Sequence, residues 1–232
     1  MMDKSFVELG GVEQVVVGGL EYTTKALHPV YQPTAKTVGA HTLSGLVDFV
    51  RASEASLWPG AVFHVEDYKQ ASLISGLNEP WRQRETYITV TAHDLLHKFA
   101  DYMPVEEFVV YLQSMFVQDE TTARVMRIVG NLTIGREVNV ADDGMTQRVT
   151  AKAGVTRVEV VDLPNPIELR PFRTFMDIGQ PASRFILRIK GGAEDGPRCA
   201  LFEADGGAWK IVAINSIRTY LAAAQPGIPV VA

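Results

Sequence analysis

The sequence predicts an α+β fold, on three observations. Apolar stripes at helical spacing fall in the N-terminal half, between residues 42 and 129. Period-two alternation takes over from Arg136 and dominates from about Val155 onward. Glycine turn signals then join successive strands as antiparallel neighbours. The expected arrangement is a set of helices packed on a mainly antiparallel sheet, followed by a C-terminal β-meander closed by a short helix.

Residues 1–41 read as an N-terminal arm punctuated by Gly10-Gly11, Gly18-Gly19, Pro29 and Pro33. Thr42 is the expected N-cap of the first helix, with Leu43, Leu46, Val47 and Val50 on one face and Trp58-Pro59-Gly60 as a stop. Ala61 to Val65 and Thr86 to Thr91 read as a strand pair joined by a long polar connection over 66–82. A helical stretch is expected through His93–Ala100. Pro104 should open the next helix, with Glu106 and Glu107 at its positive end and Val105, Phe108, Val109, Leu112 and Phe116 as its apolar stripe. A third helix covers Thr121 to Val129, ended by Gly130-Asn131.

The strand region follows. Arg136–Val140 and Met145–Ala151 flank Asp142-Asp143-Gly144, a hairpin turn. Val158 and Val160 alternate with Arg157 and Glu159. Phe185, Leu187 and Ile189 alternate with Arg184, Arg188 and Lys190, giving one apolar and one basic face. Arg198–Glu203 and Ala208–Ala213 read as strands around Asp205-Gly206-Gly207, and Asn215 as the cap of a last helix bearing Ile217, Tyr220 and Leu221. Pro226 and Pro229 make residues 225–232 an extended tail, leaving 42–224 as a single α+β domain.

Composition narrows the class. The chain has 232 residues, 47% hydrophobic and 21% charged, which is ordinary for a folded protein. A net charge of -5 gives no overall electrostatic footprint for duplex DNA. The single Cys199 forms no internal disulfide and supplies no cysteine-rich zinc site. The start, MMDKSFVELGGVEQVVVGG, lacks the pattern of a secretory signal, and apolar runs fall short of the about 20 residues of a membrane helix. The expected location is the cytoplasm, away from membranes.

Candidate chemistry is sparse. His93 and His97, four apart, would share a helix face with the spacing of a zinc pair, but Asp94 stands where the metalloprotease motif has glutamate. Third ligands could be His64 or Asp101. The basic face of Arg184, Arg188 and Lys190 could meet nucleic acid or an acidic partner, with Phe172 and Phe175 as stacking surfaces. Asp142 with Asp143, and Glu203 with Asp205, sit at glycine turns, where Asp serves local hydrogen bonding. Cys199 lies in an apolar strand and reads as core filling. No phosphate loop, dinucleotide fingerprint, nucleophile elbow or CxxC pair occurs, so no cofactor and no catalytic residue is expected, and the balance leans away from an enzyme.

Four blocks stand out in the C-terminal half: Asn165-Pro166, Leu169-Arg170-Pro171-Phe172-Arg173-Thr174-Phe175, Gln180-Pro181 and Phe202-Glu203-Ala204-Asp205-Gly206-Gly207-Ala208-Trp209. Upstream stand Asp94-Leu95-Leu96, Phe99-Ala100-Asp101-Tyr102 and Glu106-Glu107-Phe108. In these blocks the chain resembles the YfdQ-like phage and prophage proteins of unknown function. The resemblance implies a phage context and supplies no catalytic residues.

Pro171 breaks a strand pattern and should lie at an edge or bulge, where another chain could pair. Arg170 and Arg173 would then make carboxylate contacts across a subunit boundary formed with Pro171 and Phe172. The leading expectation is a phage- or prophage-encoded, non-enzymatic protein that self-assembles into a symmetric ring or cage-like homo-oligomer. The alternative is an accessory factor that binds single-stranded nucleic acid in phage recombination or host takeover, or a phage or host protein. A metal-dependent hydrolase built on His93 and His97 is the remote third.

Overall fold

Alternating residues build the sheets and helix-period residues cover them, as a computed structural model shows for residues 6–9, 12–23, 36–53, 60–78, 82–132, 139–142, 147–153, 157–163, 165–191 and 196–232. The chain divides into two compact units, Met1–Lys36 and Thr37–Ala232. The first holds β1 (Phe6–Leu9), β2 (Val12–Val17) and β3 (Leu20–Thr23), paired as an antiparallel meander. Gly18 and Gly19, at φ +64 and +84, make the two-residue turn between β2 and β3, which needs positive φ at both positions.

The larger unit runs β4 (Val38–Ala40), α1 (Leu43–Ala52), β5 (Val62–Val65), β6 (Gln70–Ile74), β7 (Thr86–Thr91), β8 (Met103–Pro104), α2 (Val105–Met115) and α3 (Glu120–Leu132). It continues with β9 (Asn139–Asp142), β10 (Gln147–Ala153), β11 (Arg157–Leu163), β12 (Ile167–Leu169), β13 (Ser183–Lys190), β14 (Arg198–Glu203), α4 (Trp209–Ala224) and β15 (Val230–Val231). Three sheets result, in the orders β15-β5-β6-β7-β4, β12-β13-β14-β8 and β11-β10-β9. Pairing is antiparallel except at the two edges of the five-stranded sheet, where β4 and β15 run parallel to their neighbours. The fold is thus α+β and mainly antiparallel. The C-terminal tail is not apart from the domain, because β15 extends the sheet alongside β5.

Two cores hold this unit. In one, α2 and α3 bring Phe108, Leu112, Val125 and Val129 onto Phe185, Leu187, Ile189 and Leu201 of the four-stranded sheet. In the other, α1 and α4 bring Leu43, Leu46, Ile217 and Leu221 onto Phe63, Leu73, Ile88 and Val90 of the five-stranded sheet. Each fully buried side chain of this size contributes roughly 1.5–3 kcal/mol, so both layers are firmly seated.

Several elements differ from the sequence reading, among them α3, which runs through Gly130-Asn131 to Leu132. β6 lies inside the stretch 66–82, which reads as a connection. Asp67 makes the difference, since its carboxylate accepts from the N–H of Lys69 and of Gln70 and turns the chain back into a strand. Ala208–Ala213 is not a strand but the start of α4, and Asn215 is therefore interior to the helix and not its cap. Trp209, Ala213, Ile217 and Leu221, each four apart, form its buried stripe. α2 also begins one residue later than expected, with Pro104 in the capping position and not within the helix. The turn at Asp143-Gly144 and the stop at Trp58-Pro59 lie outside the described residues.

Thr42 caps α1 as expected, its hydroxyl accepting from Gly45 N–H at 3.0 Å. A second cap comes from far along the chain. The Asp177 carboxylate accepts from Leu43 N–H at 3.1 Å and Ser44 N–H at 2.9 Å, satisfying donors that a helix start leaves open. Partial burial works to raise the Asp177 pKa, but the hydrogen bonds from Ser44 and Leu43 outweigh it and hold the carboxyl below its ordinary value. Asp177→Ala should cost about 0.5–2 kcal/mol at neutral pH, measured by denaturant unfolding. Because the folded-state pKa is depressed, the wild type's advantage is fully present above the ordinary Asp value and should fade as pH falls through the lowered one.

Candidate functional site

The most unusual group in the molecule is Arg173. It follows Leu169 of the first core and precedes Phe175 of the second, so it stands where the chain crosses between them. Its side chain is 5% exposed. One end is held by Glu203 of β14, whose Oε1 pairs with Arg173 Nη1. The guanidinium carbon lies over the Trp209 ring at 3.8 Å and over Phe99 and Phe185 at 5.7 Å each. Nε and Nη2 are buried with no hydrogen-bond partner among the described residues. A planar, weakly hydrated cation suits a stack of ring faces in a way that lysine would not. Desolvation dominates its electrostatics and lowers its pKa, opposed by the Glu203 charge.

The backbone around Arg173 is equally fixed. The Gln180 side-chain oxygen accepts from Arg173 N–H at 2.9 Å, and its amide donates to Phe175 C=O at 3.0 Å. Thr174 Oγ donates to Tyr68 C=O, tying the crossing to the turn before β6. On the other side, Phe172 N–H donates to Met115 C=O and Val117 N–H to Arg170 C=O, both at 2.9 Å, around a bridge between Pro171 and Phe116. Pro171 stands two residues beyond the edge strand β12, but residues of its own chain, Met115 to Val117, pair beside it. Pro171 and Arg173 are buried, Phe172 is half-buried and Arg170 is exposed. Arg173 thus finds its carboxylate within the chain, on Glu203.

His97 closes the cluster, and not as part of a helix. Residues 92–98 have no regular structure, which corrects the helix expected over His93–Ala100 and removes the shared face on which a zinc pair depends. His97 Nε2 lies 3.0 Å from Phe172 C=O, which can only accept, so that nitrogen carries the proton. Nδ1, at 3.1 Å, then accepts from Tyr111 O–H, and the same hydroxyl accepts from Lys98 N–H at 3.2 Å. The ring stacks on Phe99, one of the rings under Arg173. His93 instead stacks on His41 at 4.7 Å. Among the described residues no group of three or more His, Cys, Asp or Glu is placed to hold a metal. Burial pushes the Tyr111 hydroxyl up to about 12 and the Cys199 thiol up to about 12, so neither ionises near neutral pH.

The basic strand face is a separate feature. Arg184 and Lys190 are exposed and Ile186 and Arg188 half-buried, on the side of β13 away from the helices. Register places Arg198 beside Lys190, Ala200 beside Arg188 and Phe202 beside Ile186. Lys190 Nζ lies 4.0 Å over the Tyr102 ring, and Tyr102 meets Phe202 edge-on at 6.1 Å. Phe172 and Phe175 do not join this face, since Phe175 is in the second core and Phe172 pairs with the end of α2. Sequence reading missed Arg198, Tyr102 and Phe202 here, and Glu203, Trp209 and Tyr111 around Arg173.

No family model, curated protein or solved structure matches this chain. No helix among the described residues is long and apolar enough to cross a membrane.

Two outcomes test the cluster. Glu203→Ala leaves the Arg173 charge buried without its counter-ion and should destabilise by about 1–3 kcal/mol, toward the low end because Glu203 is part-exposed. Adding Arg173→Met removes the stranded charge, so the double variant should be more stable than Glu203→Ala alone in denaturant unfolding. His97 is lowered chiefly by desolvation, helped by Arg173 and Lys69 and opposed by the Phe172 hydrogen bond and Glu203. A lowered folded-state pKa means that its contribution is fully present above about 6.5 and lost as pH falls toward the folded value. His97→Gln should therefore flatten the fall in melting temperature between neutral and mildly acidic pH.

Proposed function

We propose that this is a phage- or prophage-encoded protein without catalytic activity that assembles into a symmetric homo-oligomer, a ring or cage-like shell. The observation that supports this most is an apolar row on one face of the N-terminal meander. Register sets Phe6, Val15 and Tyr22 in that row across the three strands, with Val17 and Leu20 paired on one side of it and Glu8 opposite Glu13 on the other. Val15, Leu20 and Tyr22 are only half-buried, and Val17 is 45% exposed. Three short strands need a second layer over their apolar row. A second copy of the chain supplies one, and an arm that reaches a neighbour propagates naturally into a closed ring or shell.

Light scattering of the full chain at micromolar concentration should give a mass several times that of the 25.5 kDa chain. Val15→Glu places a charge in the middle of the row and should lower that mass. A wild-type monomer would overturn the proposal, and an assembly whose mass Val15→Glu leaves unchanged would remove the meander from the contact.

A further inference from the structure

We infer that the outer face of the four-stranded sheet binds single-stranded nucleic acid. Arg184, Lys190 and Arg198 are exposed cations on that face, with Arg188 half-buried between them and Glu168 in register opposite Arg184. The chain as a whole carries -5, so the described residues of these strands are charged against the average of the molecule. Arg184 to Lys190 covers about 20 Å at roughly 3.3 Å per residue, a length that suits a short run of phosphates.

The rings decide what kind of polyanion fits. Tyr102 and Phe202 are half-buried, Tyr102 at the β8 edge of the sheet with the Lys190 ammonium over its ring and Phe202 beside Ile186 on β14. A base has to be unpaired to reach a ring lying on a sheet, and sheet-borne aromatics stack bases in this manner. Duplex DNA would meet only the cations, since its bases are already stacked and closed to rings lying on a sheet. An acidic polypeptide would likewise use the cations and leave the rings idle. The observations therefore favour unpaired bases held on Tyr102 and Phe202, with phosphates along Arg184, Lys190 and Arg198.

The test is fluorescence anisotropy of the full chain with a labelled oligothymidylate of about 16 nucleotides, near the upper end of one-site lengths. Binding should weaken between about 50 and 200 mM salt, with a logarithmic slope of about -0.7 for each phosphate neutralised. Arg184→Glu with Lys190→Glu and Arg198→Glu should reduce affinity more than ten-fold and flatten that slope. Tyr102→Ala should lose about five- to a hundred-fold with the slope unchanged, which a purely electrostatic surface would not show. Lys190→Gln alone, read as a smaller salt slope, decides the matter if the triple variant does not fold. The inference is overturned by salt-insensitive or absent binding, by a duplex of equal length competing as well as the single strand, or by polyglutamate binding that is strong and indifferent to Tyr102→Ala.

Discussion

A charged guanidinium with only part of its hydrogen-bonding capacity filled sits at the junction of two hydrophobic cores. Arg173 is flanked by Leu169 in one core and Phe175 in the other, and its ring contacts reach Phe185 of β13 and Trp209 at the start of α4. The position of α4 on the five-stranded sheet and that of β13 under α2 and α3 are therefore linked through one side chain. Burying such a charge costs several kcal/mol before compensation, which Glu203 and three ring faces supply only in this geometry. The unfilled Nε and Nη2 make alternative packings no worse satisfied by number of bonds, so it is the Trp209 stack that selects this one.

The same junction explains the irregular loop before β8. His97, Phe99 and Ala100 could form a helix turn by local preference. Instead His97 bridges Tyr111 and Phe172, Phe99 lies under Arg173, and Ala100, at φ +59, donates its N–H to Leu201 C=O. A non-glycine residue held in the left-handed region is a local cost of order 1–3 kcal/mol that the surrounding contacts must exceed. Lys69 with Asp94 and Lys98 with Glu107 pair on either side of His97, exposed and so secondary to the buried contacts of His97 and Phe99.

This accounts for what was legible in the sequence. Where one face of an element is buried and the other wet, the pattern was plain: α1 with its Thr42 cap, α2, and β13 with its alternation all appear where periodicity puts them. α4 was misread because Ile211 and Val212 are exposed β-branched residues, and they continue an apolar run that looks like a strand. β6 was hidden because its direction is set by one aspartate turn, and its interior, Ala71, Ser72 and Leu73, is buried throughout and does not alternate. The Arg173 cluster was illegible for a different reason. Its members come from residues 97, 111, 173, 203 and 209, and no local pattern tells a buried arginine from one on a surface.

The two proposals bear on each other through charge. A chain of net charge -5 repels nucleic acid at long range, so a basic face of a few cations would gain little from electrostatic steering and would rely on short-range stacking. A single such face would bind weakly. Repetition changes that: once one face of a symmetric assembly holds a strand, the next encounters it at a high effective concentration, and avidity can exceed the single-site affinity by about 10²–10⁴ without any new contact. A moderate, sequence-tolerant surface on each copy is then sufficient, and a strongly basic protein is not required.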